Sequence, residues 1–324
     1  MIEEEPVKLG IIGCGLAARK LHWPCLRQMK CLFEITMVCN HTEPKARTFA
    51  ELVGNVPYVL DYRDLLASDK VEAVDIVLPI HLNFQVTRDA MQAGKHVIVE
   101  KPLAASLTDA AGMVALEEGS RLVTMVAENF RYHPLYLKVK SSIEDGLIGD
   151  TYAVFWDVFY KIDPTVDVYA QTQWRIHHKY PGGFVTDAGI HNIAALRYVF
   201  GDVIPGPAWT KSINREIGEI DSMSLQFSTP SGVHGVFNFF ASTNGFNHNE
   251  LVVLGTAGTI IVTDNKQLRI RQSDKIVLEE TAVDDFGFES EFAAFYHAIR
   301  NHQPVLSSFS EAYRDFEVLV TAVQ

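Results

Sequence analysis

A lysine at a predicted strand end and an acid–histidine pair on a predicted helix are the residues whose types and spacing could do chemistry. Lys101 follows an apolar run and is flanked by Glu100 and Pro102, so it could hydrogen-bond a substrate oxygen and stabilise negative charge there. Asp187 and His191 are four positions apart, which places both side chains on one face of a helix. Asp187 could then fix the tautomer of His191 and leave its other ring nitrogen as a base.

The same residues also have structural interpretations. Lys101 could be a surface lysine that opens a loop. Asp187 could be a first-turn acid stabilised by the helix dipole, with His191 as a buried polar residue. Spacing alone favours the structural interpretation of this pair, so the elements around the three residues must decide between the two.

A glycine-rich segment near the start of the chain predicts a dinucleotide site. Residues 7–12 form a short β-branched run, and Gly13, Gly15 and Ala18 follow it in a G-x-G-x-x-A pattern that leads into a helix. Gly13 allows a tight turn, Gly15 lets the backbone approach a pyrophosphate, and Ala18 keeps helix and strand close. The helix N-terminus would face the phosphates. Cofactor contacts are therefore predicted from Gly13, Gly15, Leu16, Ala17 and Ala18.

The residues after the second predicted strand bear on which dinucleotide binds. NAD sites usually place an acid about 20 residues past the glycines, where it takes the ribose hydroxyls. This chain has Asn40 there, followed by His41, Thr42, Lys45 and Arg47. An amide does not repel a 2′-phosphate, and Lys45 or Arg47 could neutralise one, which favours NADP over NAD. Alternatively, Asn40 hydrogen-bonds the ribose of NAD and the basic residues are solvated helix surface.

The elements that must position these residues change character part-way along the chain. Up to about residue 126, short apolar strands alternate with helices, which predicts an α/β Rossmann domain with a doubly wound parallel sheet over 1–126. Lys101 would then project from the carboxyl end of a strand, where such sheets bind ligands. Residues 127–324 are richer in strands with short connections, which predicts an α+β domain with a large, mainly antiparallel sheet. Residues 151–160 carry apolar side chains on both faces, which predicts a strand covered on both sides.

Several motifs together resemble the glucose–fructose oxidoreductase / inositol dehydrogenase / rhizopine catabolism (Gfo/Idh/MocA) family. The likeness runs in the family's order over nearly the whole chain, and its later motifs are more specific than the glycine pattern. The motifs are Gly13-x-Gly15-x-x-Ala18, Ala93-Gly94-Lys95-His96-Val97 with Glu100-Lys101-Pro102, Glu128-Asn129-Phe130-Arg131-Tyr132-His133-Pro134, Ile143-x-x-Gly146-x-Ile148-Gly149, Trp174-Arg175, and Gly182-Gly183-x-x-x-Asp187-x-Gly189-x-His191. Two positions depart from the family pattern: Asn83 stands where many members have a histidine, and Asn40 replaces the common acid.

The resemblance implies a Rossmann domain and an α+β domain whose large sheet is open, with substrate in the cleft between them and dimers or tetramers formed through the open sheet face. It makes catalysis the favoured interpretation of Lys101, Asp187 and His191. The implied reaction moves a hydride between a nicotinamide and a carbinol or ketone carbon of a carbohydrate-like small molecule: a sugar, polyol or cyclic alcohol. Further implied cofactor contacts are Pro79, Asn83, Glu100, Lys101, Asn129, Trp174 and Arg175, and implied substrate contacts are Lys101, Arg131, Tyr160, Arg175, Asp187 and His191.

Three rival functions remain open on the sequence. The first is a non-catalytic dinucleotide-binding regulator of the same fold, although a sensor needs no base such as His191. The second is an oxidoreductase whose tightly held cofactor cycles between two sugars. The third is a reductase of an imine or unsaturated substrate, which needs a proton donor but no polyol-binding pocket.

Composition and charge exclude other classes. A net charge of −12 argues against a nucleic-acid surface, and no apolar run approaches the roughly 20 residues of a membrane helix. The acidic start lacks the basic region of a secretory signal, and the four cysteines form no C-x-x-C pair, which favours reduced thiols in the cytoplasm. His177, His178, Asp187 and His191 lack an H-x-x-x-H or H-E-x-x-H spacing, so no metal site is predicted.

Overall fold

The computed structural model describes residues 5–282 and 286–324, and its contacts divide the chain into two units. Unit 1 contains Met1–Glu128 and Phe288–Tyr313, and unit 2 contains Asn129–Gly287 and Arg314–Gln324. The sequence assigned all of 127–324 to the second domain, whereas residues 288–313 return to unit 1. The acidic start, residues 1–5, carried the prediction that the chain has no secretory signal. Of these residues only Glu5 is among the described ones.

The sheet of unit 1 has six parallel strands in the order β3-β2-β1-β4-β5-β6. This order confirms the predicted doubly wound sheet, and the chain changes direction across the sheet between β1 and β4, where such folds bind their ligands. The strands are β1 (Val7–Ile12), β2 (Phe33–Cys39), β3 (Tyr58–Val59), β4 (Ala73–Ile76), β5 (His96–Glu100) and β6 (Thr124–Ala127).

The helices of this part of the chain connect successive strands, as a parallel sheet requires. The first helical segment begins as a π-helical turn (Ala18–His22) and continues as α1 (Trp23–Gln28), with Pro24 in its first turn. Asp61 and Ser106 cap α3 and α5 by accepting a backbone N–H. The remaining helices are α2 (Glu43–Leu52), α3 (Tyr62–Leu66), α4 (Asn83–Gln92) and α5 (Leu107–Glu117).

Unit 2 is built on an eight-stranded sheet in the order β14-β13-β12-β11-β7-β10-β9-β8. Among the described strands of this sheet, only β7 and β10 pair in parallel, which confirms the predicted mainly antiparallel sheet. The strands are β7 (Thr151–Phe159), β8 (Ile204–Lys211), β9 (Ser222–Ser228), β10 (His234–Phe240), β11 (His248–Gly255), β12 (Thr259–Thr263), β13 (Gln267–Gln272) and β14 (Lys275–Thr281), and the helices are α6 (Pro134–Glu144), α7 (Gln173–Ile176) and α8 (Gly183–Phe200).

One face of this sheet is open in the chain. Val154, Trp156 and Val158 of β7 are buried, whereas Phe155 on the opposite face is 42% exposed. The prediction that this strand is covered on both sides is therefore wrong for the chain by itself, because only one layer of the same chain covers the sheet. On the open side Phe159 packs against Phe240 with ring centroids 5.5 Å apart.

Two helices close the chain, α9 (Phe288–Asn301) and α10 (Phe309–Val323). Helix α9 belongs to unit 1 because its apolar side is aromatic and faces Phe33 of β2. Phe292 and Tyr296 each meet that ring edge-on at 5.9 Å, and Arg300 pairs with Glu72, with 2.8 Å between Nη2 and Oε2. No described helix is long and apolar enough to cross a membrane.

Candidate active site

The glycine turn after β1 has the geometry that a dinucleotide requires. Gly13 has φ +109°, and a Cβ there would lie 2.1 Å from the carbonyl oxygen of Val77, so only glycine fits. A Cβ on Gly15 would meet nothing within 4 Å, so this side of the turn is open. Ala18 is fully buried under the turn. A tight turn with one open side suits a pyrophosphate, and Leu16 and Ala17, both half-buried, line the same segment.

Asn40 ties the glycine turn to the end of β2. Its Oδ1 accepts the N–H of Cys14 at 3.2 Å, and its Nδ2 donates to the carbonyl of Thr42 at 3.3 Å. The following His41 and Lys45 are exposed. An ionised aspartate at position 40 could accept the first of these bonds but could not donate the second. The amide therefore holds both backbone segments and adds no charge to the region.

Arg19 is a residue beside this turn that the sequence analysis missed. Its Nε donates to the carbonyl of Cys14 and its Nη2 to the carbonyl of Lys45, both at 3.1 Å. The guanidinium also lies over the ring of Phe49, 5.7 Å from its centroid. A positive charge is thus fixed between the glycine turn and the start of α2, and the only sequence signal for it was a basic residue directly after the glycine pattern.

The segment that carries Lys101 is held rigidly at the carboxyl end of β5. The Lys101–Pro102 peptide bond is cis. Asn83 is fully buried, and its Nδ2 donates to the carbonyls of Glu100 at 2.8 Å and Pro102 at 3.0 Å. The Glu100 carboxylate accepts the N–H of Lys101 at 3.1 Å. Lys101 itself is half-buried, and Pro79 lies at the entrance to the 3₁₀ turn before α4.

The predicted cofactor contact of Asn83 stays a prediction, and the structure shows a second role for this residue. Both hydrogens of its amide are committed to the turn around Lys101, so Asn83 acts as a brace for that turn. No sequence pattern indicates this role, because a brace depends on which backbone carbonyls a buried amide contacts after folding.

In unit 2 an arginine and an aromatic pair surround Asp187. Helix α8 follows Gly182, whose φ is +84°, and Asp187 lies in its second turn. Asp187 Oδ2 accepts from Arg175 Nε at 2.6 Å. The Arg175 guanidinium lies over the ring of Trp174 at 4.0 Å and near the ring of Tyr169 at 5.3 Å. Asp187 is therefore paired with an arginine that is itself stacked on aromatic rings, and its predicted partnership with His191 stays a prediction.

Tyr160 is electrostatically coupled to Asp187, and His191 packs on an aromatic ring. Desolvation raises the pKa of Tyr160, and the negative charges of Asp187 and Asp167 raise it further. Tyr160 therefore stays protonated and can donate a hydrogen bond. The His191 ring stacks on Phe130, with centroids 4.9 Å apart and planes 27° apart, and stays half-buried. The predicted residues Tyr160, Arg175 and Asp187 thus form one electrostatic group.

Two other predicted site residues, Arg131 and Asn129, are buried and have hydrogen-bond partners within unit 2. Arg131 is only 3% exposed, and its Nη2 pairs with Asp315 Oδ1 at 2.7 Å. Asn129 is buried and donates to the carbonyl of Phe286 at 2.8 Å. The predicted substrate contact of Arg131 and the predicted cofactor contact of Asn129 stay predictions. Within the described ranges, no group of three or more His, Cys, Asp or Glu residues is placed to hold a metal ion.

Comparisons with known proteins identify the family. Residues 7–128 match the model of the oxidoreductase family with an NAD-binding Rossmann fold, and residues 136–261 match the Gfo/Idh/MocA C-terminal domain. The crystal structure of an oxidoreductase from Thermotoga maritima is 33% identical, covers 98% of this chain and 96% of its own, and superposes with a TM-score of 0.92. The chain belongs to the Gfo/Idh/MocA family.

Named relatives agree with this assignment. A D-apiose dehydrogenase of Paraburkholderia graminis is 29% identical over 82% of this chain and 70% of its own length. A D-xylose 1-dehydrogenase [NADP(+)] of Haloarcula marismortui is 24% identical over 91% of this chain and 84% of its own. This Gfo/Idh/MocA protein is thus an NAD(P)-dependent oxidoreductase, as the sequence predicts, and the non-catalytic alternative is not favoured.

Proposed function

We propose that this oxidoreductase moves a hydride between NADP and a carbinol carbon of a sugar or related polyol. The observation that carries the proposal is the braced turn at the end of β5, where Asn83 and Glu100 fix the backbone on both sides of Lys101. A fixed backbone is what a preorganised hydrogen-bond donor requires. The sugar class is supported by the names of the D-apiose and D-xylose dehydrogenases.

Each proposed role follows from the chemistry of the residue. Lys101 hydrogen-bonds the reacting substrate oxygen and stabilises the negative charge that develops on it. His191 accepts the hydroxyl proton during oxidation and returns it during reduction. Asp187, held by Arg175, orients polar hydrogens on His191 or on a neighbouring hydroxyl, and Tyr160 donates to substrate. When bound along the glycine turn, the nicotinamide cofactor supplies or accepts the hydride.

A spectrophotometric screen tests the proposed reaction. Sugars, polyols and cyclic alcohols are incubated with the protein and NADP or NAD in parallel, and formation of reduced nicotinamide is followed by absorbance. Turnover of at least one carbinol compound is expected. Turnover only of imine or unsaturated compounds, in the reductive direction, would replace the proposal with the reductase alternative.

We further propose that NADP is preferred to NAD. Asn40 brings no negative charge that would repel a 2′-phosphate. Arg19, fixed by the carbonyls of Cys14 and Lys45, has further N–H groups for a phosphate, and the exposed Lys45 adds a second charge.

Replacing Arg19 by glutamine is expected to lower kcat/KM for NADP by about 10- to 100-fold, because one charge-assisted hydrogen bond is lost. The value for NAD should change little, since NAD has no 2′-phosphate. Arg27→Gln is the matched control, because Arg27 is an exposed arginine of α1. Equal losses for NADP and NAD in the Arg19 variant would mean that Arg19 supports the glycine turn and does not read the phosphate.

We also propose that copies of this chain associate through the open face of the eight-stranded sheet. Phe155, Trp209 and Phe246 are 42%, 49% and 56% exposed in the chain, and Phe159, Phe240 and Phe246 form a continuous aromatic cluster there. An apolar patch of this kind on a sheet face is typical of a subunit interface.

A charge in this patch is expected to separate the subunits. Phe155→Glu should lower the molar mass measured by light scattering after gel filtration to that of one chain, because a buried carboxylate would lack a partner. Leu52→Glu is the control, because Leu52 is 49% exposed on α2 of unit 1. An unchanged mass for Phe155→Glu would place the interface elsewhere.

The proposed location is the cytoplasm. All four cysteines are free thiols, three of them buried, which suits a reducing compartment. Recovery of the protein outside the cytoplasmic fraction of source cells would contradict this.

A further inference from the structure

A buried histidine in unit 1 has a carboxylate on each ring nitrogen. His22 has no exposed surface and ends the π-helical turn that follows the glycine turn. Its Nδ1 lies 2.8 Å from Oδ2 of Asp75 on β4, and its Nε2 lies 3.0 Å from Oε1 of Glu100 at the end of β5. Phe292 of α9 meets the ring edge-on at 5.4 Å. The imidazole is therefore held on three sides.

The two contacts determine the charge of this ring. A neutral imidazole has one N–H donor and one acceptor, and an ionised carboxylate can only accept. Two carboxylates can both accept from His22 only when the ring is an imidazolium. Burial by itself lowers the pKa of His22, but the negative charge of Asp75 and the hydrogen bonds to Asp75 and Glu100 outweigh it and raise the pKa well above its ordinary value. Asp75 is itself fully buried, and burial raises the pKa of its carboxyl, while the positive charge and the hydrogen bond of His22 lower it. His22 is the only cation among the described partners of Asp75.

Glu100 connects this ring to the backbone of Lys101. One oxygen of its carboxylate, Oε1, is held by His22, and the other, Oε2, accepts the Lys101 N–H. A carboxylate with a single contact could rotate about its last bond. With both oxygens bonded to different partners it is fixed, and it fixes the direction of the Lys101 amide.

We propose that Asp75, His22 and Glu100 form a charged clamp that positions Lys101, with His22 as its central positioning residue. The proposal rests on the proposed role of Lys101. It adds residues that never touch substrate: Asp75 orients His22, His22 holds Glu100, and Glu100 holds the Lys101 backbone. Asn83 secures the carbonyls of the same turn, so amide and carbonyl groups are restrained by separate residues.

The clamp also joins the cofactor turn to the lysine turn. The segment Ala18–His22 begins at the last residue of the glycine pattern and ends at the clamp histidine. The glycine turn and the clamp histidine therefore lie at the two ends of one five-residue segment.

The first experiment needs no substrate. Lysines are methylated reductively with a ¹³C label, and the resonance absent from Lys101→Arg is assigned to Lys101. This resonance should shift in His22→Gln and stay in place in His96→Gln. His96 is the matched control, because it is a partly buried histidine at the other end of β5 whose Nδ1 accepts the Val123 N–H at 2.8 Å. An unshifted Lys101 resonance in His22→Gln would overturn the proposal.

Ring ¹⁵N shifts in the unsubstituted protein test the charge directly. At about pH 8.5, well above the ordinary histidine pKa of about 6.5, one ring should still carry two protonated nitrogens. That signal should disappear in His22→Gln and persist in His96→Gln. A neutral His22 ring at this pH would also overturn the proposal.

Kinetics separate this inference from the proposed function. In His22→Gln, kcat should fall by about 100-fold, the cost of misplacing a catalytic group by about 1 Å, while the dissociation constant of the cofactor stays within about threefold of the wild-type value. If Lys101→Ala is inactive but His22→Gln has the wild-type kcat, the clamp proposal is overturned and the proposed function is retained. Full activity of Lys101→Ala would overturn the function itself.

If His22→Gln does not fold, Asp75→Asn takes its place. The asparagine keeps the shape of the side chain and removes the charge that holds the imidazolium. A shifted Lys101 resonance and a lower kcat are expected again, and wild-type values for both would overturn the proposal.

Discussion

Lys101→Ala is expected to lower kcat by about 10²- to 10³-fold, while NADP binds with nearly unchanged affinity. The loss corresponds to removing one preorganised donor from a developing oxyanion. The expectation depends on the fixed backbone around Lys101, because a donor that is already oriented stabilises charge without reorganising during the reaction. Steady-state kinetics on the best substrate from the screen and titration of the cofactor by fluorescence measure the two effects.

A matched control is available at the other end of β5. Lys95 Nζ donates to the carbonyls of Ser68 and Val71 at 3.0 and 2.8 Å, so Lys95→Ala removes a lysine that has only backbone partners. This variant should lose stability and keep kcat. Equal kcat losses in Lys95→Ala and Lys101→Ala would show that the effect comes from a weakened strand, and wild-type kcat in Lys101→Ala would remove Lys101 from the mechanism.

The parts of the fold that depend on local pattern were predictable. Apolar strands that alternate with helices gave the parallel sheet of unit 1, and the glycine pattern gave a turn in which Gly13 tolerates no side chain. A local pattern could not predict that α9 packs in unit 1, because this packing depends on contacts of Phe292 and Tyr296 with Phe33, which is far away in the sequence.

The candidate site shows the same division. Lys101, Asp187 and Arg175 were identified from motifs and family likeness, and Arg175 and Asp187 do pair. Arg131 belongs to an equally specific motif, yet its partner Asp315 is 184 residues away. Nothing local distinguishes an arginine that meets a buried acid from one that meets a substrate. The bracing role of Asn83 and the role of His22 were missed for the same reason, since each depends on partners that are distant in the sequence.

Open and covered sheet faces are a further limit of sequence patterns. Phe155 and Trp156 are neighbours on β7 and equally apolar, but Trp156 is 1% exposed and Phe155 is 42% exposed. An apolar side chain that meets a second subunit has the same sequence pattern as one that meets a helix of its own chain. The pattern predicts that the side chain is buried, but it does not indicate whether the same chain or a second subunit covers it.

Glu291→Gln is expected to stabilise the protein increasingly as the pH rises. Glu291, on α9, is fully buried, and neither carboxyl oxygen has a hydrogen-bond partner among the described residues. Burial raises its pKa well above the ordinary range, the positive charge of His22 opposes this, and the negative charges of Glu100, Glu128 and Asp75 add to it. The group is therefore a neutral acid near pH 7, and glutamine has nearly the same shape and no charge to lose.

The sign of the effect follows from where the proton is held. Below about pH 4.3, the ordinary glutamate value, the folded and unfolded chains both keep the proton, and the neutral acid contributes fully to stability. Above it the unfolded chain releases the proton and the folded chain retains it, so the wild-type free energy of unfolding falls by up to about 1.4 kcal/mol per pH unit until the raised folded pKa is passed. The glutamine variant has no such loss.

The measurement is the difference between the free energies of unfolding of Glu291→Gln and the wild type, from urea titrations at several pH values between about 5 and 8. The difference should grow with pH in favour of the variant. Glu289→Gln, two positions away on the same helix, is the control, and its difference should stay flat. Infrared spectra give an independent test, because the band of a protonated carboxyl should be present in the wild type at neutral pH and absent from Glu291→Gln. A difference that does not depend on pH would mean that Glu291 is ionised in the folded chain and is paired with a cation there. Glu291 would then be a fifth charged group in the interior, beside His22, Glu100, Glu128 and Asp75.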